Sequence, residues 1–481
     1  MSVSNAERRM TDAEALMWSL DADPALRSSF ISITFLDGTP DFERFRQRVA
    51  SAVETTPALR HRVASSPFDL LAPRWEPDPA FDLDFHVRRV AVPSPGSHRQ
   101  VLDLAALAAQ DPFDQTRPLW QFTVVEGLSG GQAALVAKMH HVLSDGVGAV
   151  RMSAAFVDLS PDPDEPEGSG RVHRASEAPS DEAGASAGGG LSALLGTVGE
   201  AAGSVIASNA GWARRAAAGV FDTVRKPQQL PSEVRQTVAV ARSLARQLAV
   251  IEPAHSTLWT GNHSFVHRFD ALSIDLDEVR AAAKVLGGTV NDVLVTAVAG
   301  AAGAYHRARR VDVADLRMSM PVSTRHDRAV GGNAWAPTRV LVPVVGDPLT
   351  RFKMVHERLE TTKHEASLGL TGAFAGILRA VPTPMVVRLA RQQVGTVDFA
   401  CSNVRGAPFD LWVAGARVVA TYPMGPTAGT AFNATVLSYR DHLDLGLNAD
   451  SGAVDDPQEL RDLIASGFAE LIDASRSGPA T

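Results

Sequence analysis

The sequence predicts an α/β protein of two units joined by a helical stretch, and three observations carry that prediction. Strand-like and helical runs alternate over residues 1–160, and the same alternation resumes at about residue 262. Between them, 161–190 loses all apolar periodicity and is rich in Pro, Gly, Ser and acidic residues, after which helical spacing returns. The expected division is an N-terminal unit over 1–160, an acidic disordered loop over 161–190, a helical amphipathic linker over 191–261 and a C-terminal unit over 262–481.

In the first unit, 30–36, 121–126 and 133–141 read as strands, and 41–54 and 101–109 as helices. Alternation along 133–141 sends Leu135, Ala137, Met139 and His141 to one face, the buried-looking one, and Val136, Lys138 and His140 to the other. Asp145 and Gly146 then make a turn, and Gly146 and Gly148 allow close backbone approach before a helix over 147–159.

In the linker, Leu191, Leu194, Leu195 and Val198 open one apolar stripe, and Val234, Val238, Leu244 and Leu248 form another beyond Pro231. Seven basic residues from Arg214 to Arg246 face only Asp222 and Glu233 there, so the segment could lie on an anionic lipid surface. Packing against the two units is the favoured reading, because amphipathic stripes usually face a core. In the second unit a helix over 276–286 stops at Gly287. A second helix starts at Thr289, with Asp292 completing a capping box where Glu or Gln is usual. Strands follow at 318–322, 339–345, 418–422, 434–438 and 443–447.

Composition narrows the function. A chain of 481 residues can bury two full cores, and a net charge of -8 without a Lys/Arg stripe speaks against nucleic acid. Cys401 is the only cysteine, so no internal disulfide can form and a reducing compartment fits; a small buried residue is the expected reading of it. The N-terminus lacks the apolar core of a signal peptide, and no apolar run reaches about 18 residues, so a cytoplasmic protein without a spanning helix is expected.

The chemistry concentrates in His140-His141-Val142-Leu143-Ser144-Asp145-Gly146, which reads HHxxxDG. An imidazole at a strand end, followed by an Asp-Gly turn, can aim a general base into a cleft, to take a proton from an attacking hydroxyl, amine or thiol. Two satisfied core histidines and an Asp145 helix cap are the plainer alternative. A metal site on His141 and Asp145 would need a helix across a strand end and a third ligand, and neither is evident, so no metal is expected.

Together with Pro118-Leu119-Trp120 (PLW) and Asn291-Asp292 (ND), this motif resembles the bacterial wax ester synthase/diacylglycerol acyltransferases. Further likeness lies in Pro321-Val322-Ser323 with Arg325, Gly332-Asn333, Asp347-Pro348, Ser402-Asn403-Val404 with Gly406, and Thr435–Tyr439. It covers nearly the whole chain. An early proline-containing motif is not plain around residues 11–17, and the acidic loop is long. The resemblance implies two chloramphenicol-acetyltransferase-like half-domains with a tunnel between them and the second histidine at its centre.

It also implies an acyl-CoA-dependent O-acyltransferase making wax esters or triacylglycerol from a long-chain alcohol or diacylglycerol. On that reading His141 is the general base, His140 supports it by hydrogen bonding, and Asp145 with Gly146 holds the turn. Arg60, Arg62 or Arg405 would be the partner of Asp145. Asn291, Asp292 and Asn403 would shape the site, against a helix cap and a turn residue as the plainer readings. Trp120 is expected to pack rather than touch substrate. Acyl-CoA enters as substrate and no cofactor is expected, with a membrane or lipid-droplet surface as the workplace. A carrier-bound acyl donor, or a non-catalytic lipid-surface protein of the same fold, are the alternatives.

Overall fold

Two mixed six-stranded sheets organise the protein, one built mainly by each half of the chain. The computed structural model describes residues 8–64, 73–143, 156–162, 254–323, 335–366 and 383–477. The first half runs β1 (Arg8–Arg9), α1 (Asp12–Leu20), β2 (Ser29–Leu36), α2 (Phe42–Thr55), β3 (His61–Ala64), β4 (Arg74–Pro77), α3 (Leu83–His86), β5 (Val87–Ala91), α4 (His98–Gln110), β6 (Trp120–Glu126) and β7 (Ala133–His140). The second continues with β8 (His267–Asp275), α5 (Leu276–Val285), α6 (Val290–Ala308), β9 (Asp315–Ser323), β10 (Trp335–Pro343), α7 (Pro348–Ala366) and α8 (Thr383–Val394). It ends with β11 (Phe399–Arg405), β12 (Trp412–Val413), β13 (Ala416–Met424), β14 (Phe432–Tyr439), β15 (His442–Asp450) and α9 (Pro457–Ser477). Residues 1–163 and 251–481 group into one unit. The acidic loop beyond residue 162 and the linker up to residue 253 lie outside the described residues.

The first sheet has the order β12-β13-β2-β7-β6-β5. Its central strand, β7, is covered on both faces. On one face Leu135 and Met139 meet Phe45, Val49 and Ala52 of α2. On the other Ala134 and Val136 meet Val101, Leu102 and Ala105 of α4. The expected split of this strand into a buried and a less buried face is therefore corrected: Lys138 and His140 are as buried as their neighbours, because a helix packs on each side.

β13, expected in the C-terminal unit, pairs antiparallel with β2 of the first sheet, Thr421 opposite Thr34. Alternation marks a strand but not its partner, and this partner lies in the other half. Asp444 of β15 fixes the crossing by accepting from the Thr421 amide (2.9 Å) and the Ser273 hydroxyl (2.5 Å). Gly446 permits it, since a Cβ there would lie 2.1 Å from the Pro423 carbonyl oxygen. The expected helix over 147–159 also needs correction at its end. Residues 147–155 are outside the described residues, but Asp158 forms an antiparallel bridge with Trp412, exchanging two main-chain bonds of 2.8 and 3.0 Å.

The second sheet has the order β10-β9-β11-β14-β15-β8. Helix α6 is buried on nearly every side between α5, α7, α9 and this sheet, which suits its run of Ala, Gly and Val. At Gly467 of α9 a Cβ would come within 2.8 Å of the Ala297 carbonyl oxygen, so a side chain there would push the two helices apart. Among the described residues no single helix is long and apolar enough to cross a membrane.

Candidate active site

The His140–His141 step is the exit of the central strand, and its main chain is gripped from both sides. The His140 amide donates to the Leu119 carbonyl (3.1 Å), so the PLW segment sits directly beside it. The His141 amide donates to the Ser28 carbonyl (3.0 Å), at the entry to β2. A peptide pinned at both residues gives each ring a defined launching point.

The two rings point apart, as alternation requires, and meet different surroundings. His140 is completely buried, edge-on to Trp18 and Phe113 at centroid distances of 6.4 and 6.3 Å. The Val142 amide lies 3.1 Å from its Nδ1 and can only donate, so Nδ1 accepts. Nε2 therefore carries the hydrogen and donates to Asp21 Oδ1 at 3.0 Å. Asp21 caps the C-terminus of α1, its amide donating to the Met17 and Trp18 carbonyls. Burial pushes its carboxyl up, but the His140 hydrogen bond, the Ser28 amide and Arg27 outweigh this and hold it below the usual carboxylate range.

His141 is half-buried. Its ring lies 4.7 Å from that of Phe30, tilted by 41°. Phe30 and Leu143 pack against the core under α2, and so do Val404, Ala407 and Leu437 of the C-terminal half. Phe30, the ring that His141 contacts, thus belongs to an apolar cluster shared by both halves of the chain. Ser144, Asp145 and Gly146 lie outside the described residues, and so do Arg325, Gly332 and Asn333. Of the arginines weighed as partners of Asp145, Arg62 is forked onto Glu76 Oε1 at 3.0 and 2.8 Å. Arg60 lies 5.5 Å from the Phe81 ring centre, and Arg405 is exposed at the end of β11.

The remaining predicted residues stand elsewhere. Trp120 is fully buried, donating Nε1–H to the Leu59 carbonyl (2.9 Å) and stacked on His86 at 4.5 Å, so it packs in the core. Asp292 completes the Thr289 capping box: its buried Oδ2 accepts from the Thr289 amide (2.7 Å) and hydroxyl (2.8 Å) and lies 3.1 Å from His356 Nδ1. Asn291 is half-buried beside Met320, with Nδ2 3.5 Å from the sulfur. Asn403 is not in a turn. It lies exposed on β11, opposite Val436 of β14, past the point at Ala400 where β9 stops pairing. The partners of Asn291 and Asp292, Met320 and the Thr289 cap with His356, lie on β9, α6 and α7 of the C-terminal half.

Sequence reasoning missed Asp21, and no signal could have found it: it follows a helix, in no motif, and is 119 residues from its histidine. It also missed that Lys138 is buried, two residues before His140. Lys138 donates to the Asp111 carbonyl (2.6 Å) over the Phe113 ring, and burial brings its pKa down to about 8. Cys401 is buried, and burial pushes its thiol up to about 12, which removes it as a nucleophile at neutral pH. Among the described residues no group of three His, Cys, Asp or Glu side chains could hold a metal ion.

Residues 5–294 match the family described as the wax ester synthase/diacylglycerol acyltransferase catalytic domain, and residues 332–472 match its C-terminal domain. A Mycobacterium tuberculosis protein carrying a provisional diacylglycerol O-acyltransferase name is 32% identical over 494 residues, spanning 100% of this chain and 95% of its own. Among solved structures, the wax ester synthase/diacylglycerol acyltransferase from Marinobacter aquaeolei VT8 aligns with a TM-score of 0.63 at 22% identity, covering 96% of this chain and 98% of that one. The first condensation domain of the calcium-dependent antibiotic synthetase aligns with a TM-score of 0.60 at 15% identity, covering 100% and 98%.

Proposed function

The chain belongs to the wax ester synthase/diacylglycerol acyltransferase family and is an O-acyltransferase with the chloramphenicol-acetyltransferase-like fold, and from that premise we propose that His141 is its general base. The observation that carries the proposal is the contrast within the pair. His140 is completely buried, whereas His141 is half-buried and keeps exposed surface on a main chain held at both ends. A base must reach its substrate, so only the second histidine qualifies.

In the proposed reaction the donor is an acyl-CoA and the acceptor a long-chain alcohol or a diacylglycerol. The acceptor oxygen attacks the thioester carbonyl carbon while its proton passes to His141. The tetrahedral oxyanion collapses with cleavage of the C–S bond, and the departing CoA thiolate takes the proton back from His141. The products are a wax ester or a triacylglycerol, and free CoA. A thioester is already activated, so neither a covalent enzyme intermediate nor a cofactor is part of the scheme. Such acceptors are insoluble in water, so the proposed workplace is the cytoplasmic face of a membrane or a lipid droplet. Asp145 and Gly146 keep their proposed role as the turn that follows the base.

The alternative reading keeps the fold and replaces CoA by a carrier protein as the holder of the acyl donor. The test is CoA release from palmitoyl-CoA with hexadecanol, with a diacylglycerol, or with no acceptor. Acceptor-dependent release by the wild type that disappears in His141→Ala supports the proposal. Turnover of a carrier-bound acyl group in preference to palmitoyl-CoA would replace the donor, and full release by His141→Ala would remove the base.

A further inference from the structure

The segment between α1 and β2 holds both histidines, through Asp21 to the His140 ring and through the Ser28 carbonyl to the His141 amide. That segment is itself held from the other half of the protein. Asp23 is only 3% exposed, and its Oδ1 accepts from the Ala25 amide at 3.0 Å. Its side-chain partner is Arg391, near the end of α8. Nε of Arg391 donates to Oδ2, and Nη2 donates to Oδ1 at 2.7 Å. A fork of two parallel bonds fixes direction as well as distance.

Two more contacts close around the same place. Helix α8 packs against α1. Gly429, between β13 and β14 with φ +81°, is so close to α8 that a Cβ there would meet Val394 at 2.7 Å; the Ala25 carbonyl oxygen would be 3.8 Å away.

An ordinary surface ion pair would matter little, and Arg391 is itself 58% exposed. Asp23 is different. The hydrogen bonds from Arg391 are the main reason its carboxyl lies below the usual range. Without them a buried carboxylate would keep little beyond the Ala25 amide, and it could regain solvation only by turning outward. Asp21 is two residues away on the same short segment, so that movement would stretch its bond to His140 and shift the Ser28 carbonyl under His141.

We propose that Arg391 is a positioning residue for acyl transfer: by clamping Asp23 across the two halves it sets the Asp21–Ser28 segment, and through it both histidines. The catalytic consequence rests on His141 as the base; the structural link from Arg391 to His140 does not.

The test uses the full chain with four variants. Arg391→Ala should lower kcat about tenfold while each KM stays within about twofold, because a small misplacement of a reacting group costs rate before it costs binding. Arg391→Lys keeps the charge without the fork, so its kcat should fall between. The second readout is the His140 Nε2 proton in 15N-histidine-labelled protein. Being buried and hydrogen-bonded, it should exchange slowly, and it is assigned by its loss in His140→Gln. The signal should persist in wild type and in His141→Ala, and broaden or vanish in Arg391→Ala. Unchanged kcat in Arg391→Ala, or lowered kcat with an unchanged His140 proton, overturns the proposal. An active His141→Ala would instead overturn the base assignment, with the proton signal still deciding the role of Arg391.

Discussion

The histidine turn of the N-terminal half and the Ser256–His306 pair of the C-terminal half both centre on a buried histidine, yet only the first keeps a ring with exposed surface. Ser256 Oγ lies 2.7 Å from His306 Nε2, and His306 Nδ1 lies 2.7 Å from the Ala302 carbonyl oxygen. A carbonyl only accepts, so Nδ1 carries the hydrogen and the serine hydroxyl donates to Nε2. By distance alone this is a nucleophile beside its base. But both residues are completely buried, Trp259 lies 4.4 Å from the His306 ring, and its amide occupies the Ser256 oxygen at 3.1 Å. Burial holds His306 below its usual pKa range. The turn at His140–His141 pairs the same kind of closed histidine with an open one. Hydrogen-bond distances recognise an acid–base pair; access decides whether it can act.

The sharpest way to break this comparison is to remove each centre in turn. His141→Ala should lower acceptor-dependent CoA release by about 10²–10⁴-fold, the usual worth of a positioned base, with the melting temperature unchanged. Ser256→Ala should do the reverse. It leaves the buried His306 Nε2 without its donor, so stability should fall by about 1–3 kcal/mol in a urea titration while kcat stays within about twofold. A large loss of rate in Ser256→Ala would erase the distinction.

Smaller effects sharpen the picture around the closed histidine. Asp21→Asn keeps an acceptor for His140, so kcat should fall by less than about tenfold. Its pH signature has a definite sign. The folded carboxyl lies below the usual carboxylate range, so its stabilisation is present above that range and disappears as pH falls through the lower folded value. Acid unfolding of Asp21→Asn, followed by circular dichroism, should lack this contribution. The smallest effect concerns Lys138. Its folded pKa of about 8 lies below the unfolded 10.5, so between these values the unfolded chain binds more protons and stability rises with pH. Lys138→Met should flatten that rise in denaturant titrations at a series of pH values.

What the residues reveal on their own divides along the same line of local against distant. The run from Ala133 to His140 was legible because its alternation and the motif at its end are local, and Thr289 with Asp292 was legible as a cap for the same reason. β13 was legible as a strand, but its partner was not, because pairing with β2 joins residues nearly 390 positions apart, such as Thr34 and Thr421. The short strands β3, β4 and β5 carry too little apolar alternation to stand out, β5 showing one buried residue followed by four exposed. At the site, a motif could point to both histidines but not to their opposite fates. The burial of His140 depends on Asp21, Trp18 and Phe113, and the hold on its loop depends on Arg391, none of which lies near it in sequence.

The central claim is that His141 takes the acceptor proton, and the pH dependence of kcat/KM tests it most directly. Wild type and His141→Ala would be compared with palmitoyl-CoA and the preferred acceptor across pH 5 to 9. A single essential base predicts that wild-type kcat/KM falls about tenfold per pH unit on the acid side, and that the residual activity of His141→Ala is flat over the same range. An acid limb that survives in His141→Ala would place the proton acceptor on another group and contradict the account.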